Sequence, residues 1–159
     1  MKTLVSPAEV VTIVFGTTHS LRPESIPQHT ILSAQRRLLR PVVGEELYDH
    51  LVSDSPAEPY VAMFEEYLKT PLALYAAQLA LPTIAAQVGT AGVVRLQGEG
   101  FEPLDGPSVE ALRRRLRADA DALLDAATDH LAAHPELYPL YNPAQNVRSR
   151  ISLKGGVCL

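Results

Sequence analysis

Residues 60–88 read YVAMFEEYLKTPLALYAAQLALPTIAAQV, and this stretch decides the fold class. Its first part carries large apolar side chains at helical spacings of three and four, namely Tyr60, Met63, Phe64, Tyr67 and Leu68. Thr70-Pro71 is typical of a helix start, and residues 72–88 are apolar on nearly every side. We therefore predict helices over 60–68 and 71–88, with the second at the centre of the core.

The apolar stretch 72–88 has a second interpretation, because such a helix either crosses a membrane or lies inside a protein core. A membrane span needs about 20 residues. The stretch is shorter than that, rich in alanine and interrupted by Pro82. We interpret it as a core helix with a kink at Pro82.

A capping signal predicts the first helix, over residues 6–16. Ser6-Pro7-Ala8-Glu9 combines an N-cap residue, a proline suited to the first helical position and the glutamate of a capping box. The following residues, Val10–Phe15, are largely β-branched, so a strand is the alternative. The capping signal favours the helix.

Two further helices are predicted before the central stretch. Apolar residues at spacings of three and four predict a helix over 26–40. Pro41 is expected to end it, because the residue before a proline avoids helical geometry. Gly44 then permits a tight turn into a short helix over 45–52.

The longest predicted helix covers residues 108–133. Its expected buried stripe consists of Val109, Leu112, Leu116, Leu123, Ala127 and Leu131. Over the whole chain, the residues singled out for the core are Leu39, Leu47, Leu51, Phe64, Leu79 and Leu123. These elements together predict a mainly α fold, a bundle of about five to six helices.

A glycine-rich segment between the last two helices breaks the helical pattern. Its Gln97-Gly98-Glu99-Gly100 suits a hairpin turn, which predicts a projecting β-hairpin at residues 90–105, with all the β-structure within 92–104. Because a two-stranded hairpin is marginal alone, we expect it to contact a neighbouring subunit; the alternative is that it folds back on its own bundle. The contact residues would be Val93, Val94, Leu96 and Phe101.

Length and composition predict one domain with a tail. The 159 residues are 47% hydrophobic, which suffices for one core. A net charge of −4 argues against wholesale binding to nucleic acid or anionic membranes. One cysteine cannot form an intrachain disulfide, and no signal-peptide pattern opens the sequence, which predicts a cytoplasmic protein. We divide the chain into a helical domain, 1–143, and an extended C-terminal tail, 144–159.

The sequence contains no recognisable catalytic set. It lacks a G-x-S-x-G motif, a P-loop and a G-x-G-x-x-G motif. His130 and His134 have the spacing of a metal-binding pair, but no third ligand is evident, and histidines near a helix C-terminus also suit its dipole. We expect no enzyme activity, no cofactor and no metal; a metal-dependent enzyme that uses these histidines is an alternative.

Two charged clusters lie on the longest predicted helix. Asp121, Asp125 and Asp129 recur every four residues, which makes them either a solvated face or an electrostatic surface with a function. The second cluster consists of arginines, which bind phosphate or an acidic partner. Most of these arginines have a carboxylate four residues away, so we favour a solvent-exposed face whose charges are neutralised within the helix. This cluster consists of Arg113, Arg114, Arg115 and Arg117.

Several motifs follow one another along the chain in a defined order. The first consists of Ile31, Ala34, Gln35, Leu39, Pro41, Gly44, Leu47, Tyr48, Asp49 and Leu51. The later ones are Pro71-Leu72-Ala73 with Tyr75-Ala76 and Leu81-Pro82, then Asp121–Asp125, then Leu137–Tyr141. In order and spacing, these motifs resemble those of the head–tail connector proteins of tailed phages and prophages.

The resemblance implies a structural virion protein with no chemistry of its own. Such an adaptor forms a ring, a dodecamer, beneath the portal and joins the capsid to the tail. The implied partners are other copies of the chain, the portal protein and a stopper or tail-completion protein. DNA would only pass through the axial channel, and no membrane is involved. The protein would lie in the virion neck after synthesis in the bacterial host cytoplasm.

The C-terminal tail is expected to make the main portal contact. From Arg148 to Lys154 it alternates polar and apolar residues, like a strand that joins a sheet edge, and its cations suit an acidic groove. The residues expected to bind are Arg148, Arg150, Ile151, Leu153, Lys154, Val157 and Leu159. Alone the tail should be mobile; a terminus without a role is the alternative.

A small helical DNA-binding regulator is another alternative function. The turn at Pro41–Gly44 would then belong to a helix-turn-helix motif, with residues 45–52 reading bases. That helix begins with Glu45-Glu46, which repel phosphates. The sequence therefore favours the connector.

Overall fold

The computed structural model describes residues 2–17, 21–87, 94–97, 100–103 and 106–148. Within these ranges the protein is mainly helical, as predicted. No helix in the described part combines the length and the apolar character that a membrane span requires. Several predicted contact residues lie outside the described ranges: Val93, Arg150, Ile151, Leu153, Lys154, Val157 and Leu159.

The first helix, α1 (Pro7–Phe15), begins with the predicted capping box. Ser6 Oγ accepts from the Glu9 N–H at 3.2 Å, and Glu9 Oε2 accepts from the Ser6 N–H at 2.8 Å. Glu9 also pairs with Lys69, Nζ to Oε1 at 2.7 Å. The hydrogen bond from Lys69, followed by those from Ser6, lowers the pKa of Glu9 to about 2. The helix prediction is confirmed, and the strand alternative is wrong.

Pro41 does not end its helix. α2 (Gln28–Ala34) passes through a π-helical turn (Gln35–Leu39) into α3 (Arg40–Val43). Gly44, at φ 87°, then starts α4 (Glu45–Val52). A proline ring crowds the carbonyl four residues earlier, here that of Arg37. That carbonyl lies inside the wider π turn, in which the Arg40 N–H bonds to the Gln35 carbonyl instead.

The predicted helix start at Thr70-Pro71 is wrong for the same reason. α5 (Glu58–Met63) runs through a second π turn (Phe64–Leu68) into α6 (Lys69–Gln87), which includes Pro82. The carbonyl that Pro71 crowds belongs to Tyr67, again inside a π turn. The two predicted helices are therefore one continuous helical rod.

Two short strands follow α6. β1 (Val94–Gln97) pairs antiparallel with β2 (Gly100–Pro103), and Leu96 stands opposite Phe101. That this pair projects from the bundle and contacts a neighbouring subunit stays a prediction.

The core forms where α6 packs against α7 (Gly106–Ala133), α1 and α2. The predicted core residues Leu39, Leu47, Leu51 and Phe64 are buried. Two predictions are wrong, because Leu79 is only partly buried and Leu123 is 42% exposed.

Helix phase explains both errors. The buried residues of α7 are Leu116, Ala120, Leu124, Ala127, Thr128 and Leu131. With about 3.6 residues per turn, the centre of this stripe passes near Ala120, Leu124 and Leu131, and Leu123 falls outside its edge. On α6, Leu79 follows the half-buried Gln78 and lies one turn before the exposed Thr83, so it belongs to the less buried side of the helix.

Candidate partner-binding surface

The last described residues, 141–148, pack on the bundle; we call them the C-terminal segment. They were expected to leave the helical domain after residue 143. Instead Tyr141 and Asn146 are buried, and Asn146 Nδ2 donates to Tyr141 Oη at 3.2 Å. The packed body therefore continues to Arg148.

The guanidinium of Arg148 binds two aspartates of α7. Its Nε and Nη2 donate to the two carboxylate oxygens of Asp125 at 2.7 and 3.0 Å. Its Nη1 donates to Asp121 Oδ1 at 2.6 Å and lies 3.4 Å from Tyr75 Oη. The Tyr75 hydroxyl also donates to Asp121. Bidentate hydrogen bonds between charged groups are stronger than those between neutral groups. This network therefore fixes the C-terminal segment to α6 and α7.

Arg117 completes the network from α7. Its Nε donates to Asp121 Oδ2 at 2.9 Å, and its guanidinium carbon lies 4.9 Å from the centre of the Tyr75 ring. Asp121 thus accepts hydrogen bonds from a tyrosine and two arginines.

The network shifts the pKa values of Asp121, Tyr75 and Arg148. Burial raises the pKa of Asp121, but hydrogen bonds from Tyr75, Arg117 and Arg148 outweigh it, so the net pKa is lowered. Burial and the bond to Asp121 raise the pKa of the Tyr75 hydroxyl. Burial lowers the pKa of Arg148, but bonds to Asp125 and Asp121 reverse that and raise it. Carboxylate and guanidinium therefore stay charged at neutral pH.

The C-terminal segment also reaches the N-terminal half of the bundle. Gln145 Oε1 accepts from the Glu45 N–H at 3.4 Å, at the start of α4. The segment therefore bridges the turn at Gly44 and the middle of α7.

A groove of about 850 Å³ runs along this segment. Its lining includes Leu38 and Pro41 from the N-terminal half of the chain, and Thr128 and Asp129 of α7. Val147 lies at its edge and is 37% exposed. The groove thus combines apolar side chains with polar and charged ones, as binding sites do.

His130 and His134 belong to an aromatic cluster. The His130 ring stacks on Tyr67, with centroids 4.3 Å apart, and lies 4.5 Å from the His134 ring. His134 Nδ1 lies 2.9 Å from the His130 carbonyl oxygen. In the described part of the chain, no group of three or more His, Cys, Asp or Glu side chains is placed to hold a metal ion.

The helix-turn-helix alternative places its reading helix at α4. Leu47, Tyr48 and Leu51 of that helix are buried, and Glu45, Glu46 and Asp49 are exposed. An acidic exposed face repels DNA phosphates, so the geometry does not favour this alternative.

A comparison with models of known protein families shows which family the chain belongs to. The model of a family of unknown function, DUF6712, matches residues 39–151. The chain belongs to this family. No curated protein and no solved structure matches it. The part that matches DUF6712 runs from the first π turn past Arg148, so it includes the whole charged network.

Only part of this surface can be predicted from the sequence. Asp121 and Asp125 form a ridge there whose spacing predicts either a solvated face or an electrostatic surface with a function. The sequence predicts that Arg148 belongs to a mobile tail, which is wrong. Its partners lie 23 and 27 residues away, too far for a local pattern to show the contact. The i, i+4 spacing of the two aspartates is a weak signal that a cation docks between them.

Arg148→Ala should lower the free energy of unfolding by about 1–3 kcal/mol, since it leaves Asp121 and Asp125 without their shared partner. The estimate allows for solvent screening, because the Arg148 side chain is 26% exposed and that of Asp125 is 56% exposed. Urea denaturation of the full chain measures the change.

Arg115→Ala is the matched control, because Arg115 is 81% exposed and makes one 3.7 Å contact with Asp119. Its loss should cost less than about 0.5 kcal/mol. Equal effects of the two substitutions would contradict the importance of the network.

Proposed function

We propose that this DUF6712 protein is a head–tail connector of a tailed phage or prophage, a structural protein of the virion neck. The observation that carries the proposal is the ordered series of connector-like motifs from Ile31 to Tyr141. Residues of the first motif have definite roles in the packing. Gln35 and Tyr48 are buried and hydrogen-bonded to each other at 3.3 Å, and Gly44 makes the turn between two helices.

The ring requires a contact between neighbouring subunits, and the strand pair β1–β2 is the element proposed for it. A two-stranded sheet is marginally stable alone and has strand edges open to pairing. Packing against the next copy in a dodecamer would stabilise it. The residues proposed for this contact remain Val93, Val94, Leu96 and Phe101.

The portal contact is proposed for the residues that follow the C-terminal segment. Arg148 is held on the bundle by Asp121 and Asp125, so residues 149–159 start from a fixed point at the edge of the groove. Their cations, Arg150 and Lys154, and their apolar residues suit an acidic groove on the portal. Arg148 itself acts as the anchor of this tail.

The test compares the full chain with a chain that ends at Arg148. Native mass spectrometry, with and without purified portal, should find the full chain as a ring on the portal. The shortened chain should keep its thermal midpoint, because the charged network remains, and lose portal attachment. A full chain that stays monomeric with portal contradicts the connector proposal. A shortened chain that attaches normally contradicts the role of the tail.

A further inference from the structure

The loop that follows α7, residues 134–140, carries the most exposed large hydrophobic side chain in the described part of the chain. We call it the Leu137 loop. Leu137 is 53% exposed, more than Leu123 or Val147, the other exposed side chains of this kind. Single exposed leucines are ordinary on protein surfaces, so exposure alone assigns no role to Leu137. The rigidity of its loop and the charge beside it distinguish it from Leu123.

The Leu137 loop holds its exposed side chain in a fixed position. The N–H groups of Leu137 and Tyr138 both donate to the His134 carbonyl oxygen at 3.1 Å, and the Tyr138 side chain is buried. Pro135 and Pro139 restrict the backbone on either side of this turn. Because the loop is already ordered, docking it on a partner costs little conformational entropy.

Leu137 does not fill the groove of its own chain. Ala132 and Tyr141, which precede and follow it in sequence, line the groove, but Leu137 does not. Val147 at the edge of the groove is 37% exposed, so this apolar surface is also open. At about 850 Å³, the groove has room for far more than one leucine side chain. A second copy of the chain therefore presents an exposed leucine that the groove can accommodate.

The loop and the groove carry complementary charges. Arg37 lines the groove, and its guanidinium forms no hydrogen bond or ion pair with a described residue. Glu136, next to Leu137, is exposed, and its carboxylate is likewise unpaired within the described ranges. Opposite charges at the rim of an interface set the choice and orientation of the partner more than the affinity.

We propose that the groove of one copy binds the Leu137 loop of a second copy. Leu137 packs against apolar side chains of the groove such as Leu38 and Val147, and Glu136 pairs with Arg37. The loop and the groove are different surfaces of one chain, so the same contact can repeat from copy to copy. The contact involves only copies of this chain and does not depend on the connector proposal.

Disulfide trapping tests the contact in full-length chains that carry Cys158→Ser. A Leu137→Cys chain is mixed with a Val147→Cys chain under mild oxidation, and mass spectrometry of the intact protein measures the mixed dimer. The matched control replaces the first chain by Leu123→Cys, which is exposed elsewhere on α7. The Leu137→Cys mixture should give about tenfold more mixed dimer, because a disulfide requires Cα atoms within roughly 7 Å. Equal yields from the two mixtures would overturn the proposal.

Charge reversal in the same mixture tests the pairing of Glu136 with Arg37. Arg37→Glu on the Val147→Cys chain, or Glu136→Arg on the Leu137→Cys chain, should lower the yield about two- to fivefold. Both reversals together should restore the yield, a result that misfolding of either chain would not produce. Arg115→Glu on the Val147→Cys chain is the control and should change nothing. A yield that stays low with both reversals, or that falls equally with Arg115→Glu, would contradict the proposed contact.

Discussion

Leu124→Ala is expected to lower the free energy of unfolding by about 2–5 kcal/mol, as large-to-small changes in a core do. Leu124 is 1% exposed and lies in the interface of α7 with the rest of the bundle. Removing its side chain loses buried apolar surface and leaves a cavity that rigid helices cannot close.

Leu123→Ala is the control for this prediction. It makes the same chemical change one residue away, at a side chain that is 42% exposed, so it should cost less than about 1 kcal/mol. Urea denaturation of both variants measures the difference. If Leu123→Ala were the more damaging, the rotation of α7 about its axis would be wrong.

Gly44→Ala is expected to destabilise the protein by about 2–4 kcal/mol, for two reasons. Gly44 has φ 87° and ψ 165°, a region of backbone conformation nearly restricted to glycine. A Cβ there would also stand 2.8 Å from Gln145 Oε1. Gln145 can swing aside, but its hydrogen bond to the Glu45 N–H is then lost.

Gly16→Ala separates these two causes. Gly16 has nearly the same backbone conformation, with φ 82° and ψ −165°, but no atom lies within 4 Å of an added Cβ. Its cost should be the backbone strain alone, about 1–3 kcal/mol. Thermal denaturation compares the variants. A Gly44→Ala variant no less stable than Gly16→Ala would show that the contact with Gln145 is unimportant.

Sequence signals predict the helices well where all the hydrogen bonds behind a signal join residues only a few positions apart. The capping box of Ser6 and Glu9 could be inferred from sequence, because all its bonds lie within one turn. The expected helix breaks at Pro41 and Pro71 were wrong, because a π turn upstream of each proline accommodates the ring. Periodicity predicts the position of α7 correctly but not its rotation about its axis, so it predicts Leu123 in the core where the buried residue is Leu124.

The candidate site was harder to predict, because it is assembled from distant parts of the chain. Tyr75, Asp121 and Arg148 come from three elements, separated by 46 and 27 residues. Each of them alone has an ordinary interpretation: a core tyrosine, a solvated aspartate and a tail cation. The three side chains form one hydrogen-bonded network only because the fold brings them together.

The bridge made by the C-terminal segment has a consequence for the order of folding during synthesis. Gln145 bonds to the start of α4, 100 positions earlier in the chain. The ribosome releases α1 to α4 long before it adds residue 145. During that time the start of α4 lacks its hydrogen bond to Gln145. Contacts of such separation close late because of the chain entropy they restrict. The contact of Gln145 therefore completes a part of the bundle that was synthesised 100 residues earlier.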